Sequence, residues 1–147
     1  MQYTIKKFDE LTNPELYKIL QLRQEIFIIE QTCIYLDLDN KDEDAYHLMA
    51  IDGNKIIGCL RILGKGVSYE EISIGRVALS KSRRGSGIAQ EMMQRAINFI
   101  KDELGENSIR ISAQSVVISF YKKLGFEVVS EEYLEDDIQH VEMLYNL

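Results

Sequence analysis

The chain has 147 residues, 46% of them hydrophobic, with 17 basic and 24 acidic side chains, a net charge of −7 and one proline. That length suits one domain, residues 1–147, and that apolar share builds a core, which excludes a disordered or low-complexity chain. The acidic balance excludes general nucleic-acid binding, no apolar run nears the roughly 20 residues of a membrane span, and residues 1–7 lack the layout of a signal peptide, so a cytoplasmic chain with no nucleic-acid or membrane partner is expected.

Residues 3–8 alternate in polarity and predict a strand. Asn13 before Pro14 reads as a helix cap followed by a proline in the first turn, and the helix is expected to run to about Gln31. At 100° per residue, Leu16, Ile19, Leu20, Ile26 and Phe27 define one apolar arc, with Arg23 and Glu30 in its middle. Buried charges need partners or a use. The two lie about 10 Å apart along the axis, too far for an easy direct bridge, so a structural ion network and a ligand pocket are both open.

Residues 32–44 form an acidic loop. Its aspartate spacing is near that of a calcium loop but fails the test, because Asp42 stands where glycine is needed and Leu48 where glutamate is needed. A solvated loop is expected. Residues 46–51 and 55–63 flank Asp52-Gly53-Asn54, a hairpin signal. A strand over 71–79, a turn over 80–86 and a helix over 87–104 follow. The helix repeats apolar residues at Ile88, Met92, Ala96 and Ile100 and stops at Gly105. A strand over 109–113, a helix over 116–124 closed by Gly125, and strands over 126–130 and 139–145 complete the chain. The order β-α-β-β-β-α-β-α-β-β predicts an α/β (α+β layered) fold with a mixed central sheet of about seven strands and helices on both faces.

Cys33 and Cys59 form no CxxC pair, so no metal site is expected, and each reads as a small buried residue. His47 and His140 fall in predicted strands, where a lone histidine is more often packed or hydrogen-bonded. No acidic residue lies between Glu71 and Glu91, while Arg76, Lys81, Arg83 and Arg84 do. A positive island on an acidic chain points to a small anionic ligand. Inside it, Gly85-Ser86-Gly87 lies between a strand and a helix. The first N–H groups of a helix lack partners and its dipole is positive there, which makes an anion site. Arg83 and Arg84 would add charge and Ser86 a hydroxyl. No Gly-Lys-Ser/Thr follows, which excludes a Walker A loop, and the third small residue is misplaced for a Rossmann fingerprint. On these residues alone, a plain glycine turn with surface arginines stays open.

The stretch Ser82-Arg83-Arg84-Gly85-Ser86-Gly87-Ile88-Ala89 resembles the phosphate loop Q/R-x-x-G-x-G/A of the GNAT N-acetyltransferase superfamily, with Ser82 at the Gln/Arg position. Phe120-Tyr121-Lys122-Lys123-Leu124-Gly125-Phe126 resembles its second signature, F/Y-Y-x-x-x-G-F, and a helix and a strand separate the two as in the family. The chain is similar to the ElaA-like branch through Leu22, Arg23, Glu25, Phe27, Glu30 and Gln31, through Ile74-Gly75-Arg76-Val77, through Ala113-Gln114, and through a tail from Glu135 to His140 in which Asp137 and Gln139 replace an expected Gly and Pro.

The resemblance implies direct transfer of an acetyl group from acetyl-CoA, without a metal, to a primary amine of a small molecule or peptide. It places the CoA phosphates on Arg83, Arg84, Gly85, Ser86, Gly87, Ile88 and Ala89, and the thioester carbonyl on the backbone of Val77, Ala78 and Leu79. Gln114 would hydrogen-bond the pantetheine, and Tyr121 would protonate the leaving thiolate; outside the motif such a tyrosine simply packs under the sheet. Arg23, Phe27, Glu30, Arg76 and His140 would line the acceptor pocket. Ser73 stands where some relatives carry a glutamate base, so the base stays open between Glu71, two residues earlier, and a water relay. A non-catalytic acyl-CoA-binding module is the alternative: the missing glutamate argues for it and Tyr121 against it. Analogy of fold admits a homodimer.

Overall fold

A computed structural model describes residues 1–146. Among them run β1 (Gln2–Lys7), α1 (Asn13–Arg23), β2 (Tyr46–Asp52), β3 (Lys55–Leu63), β4 (Ser73–Leu79), α2 (Ile88–Asp102), β5 (Ser108–Gln114), α3 (Ile118–Leu124), β6 (Glu127–Val128), β7 (Tyr133–Glu135) and β8 (Ile138–Asn146). The α1 cap is Thr12, one residue before the expected Asn13. Thr12 Oγ1 accepts from Glu15 N–H at 3.2 Å and Glu15 Oε1 accepts from Thr12 N–H at 2.8 Å, a reciprocal capping box that fixes the start. Past Arg23 the helix continues in wider π-helical turns over Gln24–Glu30, with Gln31 N–H bonding Ile26 O at 3.2 Å.

Antiparallel ladders join β1-β2-β3-β4 in one arm and β5-β8-β6 in the other, with β7 on β8. The arms meet in parallel at Ile72 and Ile109, where Arg110 N–H bonds Ile72 O at 3.0 Å. The mixed sheet with helices on both faces is as expected. It carries one strand more, β7, and the strand expected over 126–130 shrinks to Glu127–Val128.

Strand alternation sorts the core onto two faces. Leu48, Ala50, Leu60 and Ile62 pack with Met92, Met93, Ala96, Ile97 and Ile100 of α2, while Met49, Cys59 and Ala78 pack with Ile19, Leu22 and Ile26 of the first helix. The sheet is thus held between α1 on one face and α2 with α3 on the other. No helix of the described residues is long and apolar enough to cross a membrane.

The acidic loop is not a solvated loop. Asp37 and Asp42 are buried, because Arg23, itself 1% exposed, donates Nε to Asp37 Oδ2 at 2.9 Å and Nη1 to Asp42 Oδ1 at 2.7 Å. Arg61 adds 2.6 and 2.8 Å bonds to the Asp39 carboxylate and a 3.1 Å bond to Asp42. The loop therefore neutralises buried guanidinium groups of α1 and β3. Arg23 belongs to this network and not to the acceptor pocket where it was expected.

Candidate active site

Beyond the Ile72–Ile109 bridge no ladder joins β4 to β5 among the described residues. The strands part, and the free edge of β4 faces a cleft of about 730 Å³. Ile74, Gly75, Arg76, Val77 and Leu79 form one wall and Ser112 and Gln114 the other. Residues of the first helix (Ile26, Phe27, Glu30, Gln31) close it from one face of the sheet. Gly85, Gly87, Ile88, Ala89 and Gln90 at the start of α2, with Phe120 and Tyr121 of α3, close it from the opposite face.

β4 carries a bulge here. Cys59 pairs with Ala78 and Arg61 with Gly75, so Arg76 and Val77 together oppose Leu60. Arg76 takes a φ of 51° to make the turn. Its guanidinium ion-pairs with Asp37 at 2.7 Å and Asp39 at 3.3 Å and lies over the Tyr35 ring, 5.7 Å from its centroid. It lines the cleft with its charge already matched.

At the other end, Gly85 and Gly87 hold φ values of 81° and 84°, with open space where a Cβ would project. Gly87 caps α2 without any side-chain bond to the first amides, which leaves those N–H groups for an anion. The flanking side chains are placed otherwise than expected. Arg83 turns away to Asp52, 2.6 Å, outside the cleft lining. Ser86 donates its hydroxyl to Arg83 O at 2.6 Å and does not line the cleft. Ala78 points into the core under α1, since alternate residues of a strand face opposite ways. Arg84 stands at the rim, bonded to Glu30 and to Leu79 O. Neither arginine brings the mobile charge expected of the pair.

Tyr121 reaches the cleft from α3, packed edge-on between Phe120 and Phe126. Burial pushes its phenol up to about 12. Gln114 donates to Gln31 Oε1 at 3.2 Å and bridges β5 to the end of the first helix. His140, paired with Gln114 across β5 and β8, is 7% exposed and lines the cleft. Phe27 and Glu30 line it as well.

Glu71 does not reach the cleft: Arg110 binds both its carboxylate oxygens, at 3.0 and 3.1 Å. Cys33, expected buried, lies half-buried on the cleft wall, whereas Cys59 is buried and its thiol pushed up to about 12. Tyr35, Cys33, Ser112 and Asp136 also line the cleft, and no sequence signal marked the first three, because loop 32–44 and the polar face of β5 have no periodic signature that says what they face. Among the described residues no group of three His, Cys, Asp or Glu is placed to share a metal.

A helix N-terminus opening on a gap between two parting parallel strands, with a tyrosine helix beneath, is the architecture of an acyl-CoA acyltransferase fold. The acetyltransferase (GNAT) domain family matches residues 22–147, and the chain belongs to it. It sits in the ElaA-like branch: protein ElaA of Escherichia coli is 33% identical over 136 residues, covering 91% of this chain and 89% of that one. The ElaA crystal structure superposes with a TM-score of 0.92 at 31% identity, over 99% and 100% of the two chains. An acyl-CoA N-acyltransferase from Pseudomonas aeruginosa superposes at 0.90 with 37% identity, over 99% of each. A GNAT family acetyltransferase from Elizabethkingia anophelis with acetyl-CoA bound shares the fold at 0.67 and 17% identity, over 99% and 98%.

Proposed function

We propose that residues 1–147 act as one acyl-CoA-dependent N-acetyltransferase domain that passes the acetyl group of acetyl-CoA directly to a primary amine bound beside it. The observation that carries this reading is the cleft between the parted strands, which receives the N-terminus of α2, free of any side-chain cap, at one end and Tyr121 in its depth. Acetyl-CoA is a substrate here, and the E. anophelis protein of the same fold holds it. Its phosphates suit the free amides of residues 85–89, with Ile88 and Ala89 against the cofactor. Gln114 offers an amide for the pantetheine.

The free outer edge of β4 around Val77 to Leu79 supplies N–H groups to the thioester oxygen, where negative charge grows as the amine adds. The amine nitrogen bonds to the carbonyl carbon, the carbon–sulfur bond breaks, and the thiolate takes the Tyr121 proton. Burial keeps the phenol protonated across the neutral range, so the hydroxyl holds its proton when the thiolate forms.

Calorimetric titration with acetyl-CoA, with ATP and NAD as controls, tests the reading. Selective binding of acetyl-CoA is expected, followed by CoA release when primary amines are added. Binding without release across a panel of amines would favour the non-catalytic acyl-CoA-binding module, for which the absence of a cleft carboxylate on β4 speaks.

A further inference from the structure

Resting on the acyltransferase reading above, we propose that His140 is the general base: its Nε2 takes the proton of the incoming ammonium on the face of the sheet opposite Tyr121. Strand alternation sets which way each side chain faces. Ile109, Ile111 and Ala113 of β5 are buried in the core shared with α2 and α3, so Ser112 and Gln114 face the other way. Gln114 reaches Gln31, which fixes that face as the α1 side. Directly opposed residues share a face, and His140 opposes Gln114 on one flank and Tyr133 on the other. Tyr121 comes from the α3 side. Acid and base therefore flank the cleft from opposite faces. That arrangement suits the reaction, because the entering nitrogen and the leaving sulfur occupy different corners of the tetrahedral carbon.

The imidazole is set up as a base. Its Nδ1 lies 2.7 Å from Ile138 O. A carbonyl oxygen only accepts, so Nδ1 carries the hydrogen, and in the neutral imidazole Nε2 then keeps the lone pair. Glu135 Oε2 lies 3.4 Å from that Nε2 and stabilises the imidazolium once it forms. The Tyr133 ring stacks on the imidazole, centroids 6.1 Å apart and 24° between planes, and Ser112 binds the Tyr133 hydroxyl. An orienting carbonyl, a stacked ring and a carboxylate beside the working nitrogen are the parts a positioned base needs.

The charged and titratable surroundings are consistent with this. Glu135 and Tyr133 face His140 from β7, Gln114 and Ser112 from β5. Asp136 in the β7–β8 turn lines the same cleft, with the Cys33 thiol on its carbonyl at 3.3 Å. Arg76 across the cleft is matched by Asp37 and Asp39, and Glu142 further along β8 is matched by Arg110. Glu71, the carboxylate weighed as a base, is committed to Arg110, and Glu30 on the cleft wall to Arg84. The protons balance. The ammonium gives one to Nε2, the amine attacks, the sulfur leaves with the Tyr121 proton, and the phenolate recovers a proton from the acylated nitrogen. His140 releases its own to solvent, one proton per turnover.

The test compares wild type with His140→Gln, using acetyl-CoA and two probe amines, propylamine and spermidine. Expected is an unchanged acetyl-CoA Kd by calorimetry and a kcat lower by about 10²-fold or more. The pH profiles must also part. With a base present, kcat/KM draws on the ammonium form and levels off before the amine itself deprotonates. Without one, only free amine reacts, and kcat/KM keeps rising with pH to the pKa of the probe. An unchanged rate overturns the proposal, as does a uniform loss that leaves the profile shape intact. Nitrogen-15 NMR of the wild-type imidazole gives a readout independent of any variant: a hydrogen on Nε2 in place of Nδ1 overturns it. Wild-type protein that binds acetyl-CoA yet releases no CoA with either amine is the non-catalytic module, and the catalytic reading falls together with His140. Protein that does not bind acetyl-CoA sinks the acyltransferase reading itself.

Discussion

Arg84 grips Glu30 with both ends of its guanidinium, Nη1 to Oε2 at 2.6 Å and Nη2 to Oε1 at 2.9 Å, while Nε and Nη2 hold Leu79 O at 3.2 and 3.1 Å. One side chain thus ties the glycine turn to the π-helical end of the first helix and to the last residue of β4, three walls of the cleft. The hydrogen bonds from Arg84 hold the Glu30 carboxyl below its usual range. Both partners are more than a third exposed or close to it, so the pair contributes only about 0–1 kcal/mol to stability. Its weight is in shape and charge. Arg84→Glu sets two carboxylates face to face beside the amides of α2. The melting temperature should barely move, while the acetyl-CoA Kd rises about tenfold or more, roughly 1.4 kcal/mol. Unchanged affinity in calorimetry would remove the phosphate site from this turn.

Tyr121→Phe keeps the edge-on packing against Phe120 and Phe126 and deletes only the hydroxyl. If that hydroxyl protonates the leaving thiolate, kcat falls about 10²-fold or more and acetyl-CoA binding is retained. Because burial places the phenol at about 12, its ionisation should cause no loss of wild-type activity up to about pH 10, where an unperturbed tyrosine is half ionised. Stopped-time CoA release against pH measures both effects. A Phe variant at wild-type rate leaves Tyr121 as packing only.

The elements that could be read from the sequence are those whose signals are local. The 3.6-residue repeat of α2, the Asp-Gly hairpin and the glycines around α2 each act within a few residues. β7 was not legible: the turn after it is Asp136-Asp137, and both take positive φ, 51° and 63°, without the glycine that normally announces such a hairpin. The acidic loop was misread for a different reason. Asp37 and Asp42 lie 14 and 19 residues from Arg23, and Asp39 lies 22 from Arg61. No sequence period brings those charges together. The same holds for the site. The turn 85–87 and Tyr121 were marked by motif, but Arg83 and Ser86 point away through contacts with Asp52 and with Arg83 O that only the folded chain reveals.

Gly125 supplies a test of why the tyrosine motif contains glycine. It closes α3 at a φ of 111°, and an added Cβ would sit 2.7 Å from Cε2 of Tyr145. Tyr145 in turn packs on Phe126 at 5.2 Å. Gly125→Ala should cost about 1–3 kcal/mol through overlap and backbone strain together, read from urea midpoints. Adding Tyr145→Leu removes the ring and leaves the φ. Partial recovery is expected. Complete recovery would assign the whole cost to overlap, and none would assign it to the backbone.

The Arg23 cluster sets the acid stability of the protein. Arg23→Met strips buried Asp37 and Asp42 of their shared cation and should cost about 3–5 kcal/mol, visible as a lower urea midpoint. The pH dependence follows from the same contacts. Burial opposes ionisation of Asp42, but the hydrogen bond and charge of Arg23, with the charge of Arg61, outweigh it and hold the carboxyl below its usual range. Asp39 is held lower still against its own desolvation, by Arg61 and Arg76. A depressed carboxylate contributes its full stability above its unfolded value, about 3.9, and loses it as pH falls toward the folded value. His47 acts earlier. Burial holds its imidazole below 6.5 although Asp42 O accepts its Nε2–H at 2.9 Å, so the unfolded chain takes up the proton first and stability drops as pH falls through about 6.5. The melting temperature should therefore be level above about pH 7, decline gently below 6.5, and drop steeply below about pH 4. His47→Gln should abolish the gentle decline and keep the steep one. A wild-type melting temperature that stays level down to about pH 4 would show that His47 is as easily protonated in the folded chain as in the unfolded one.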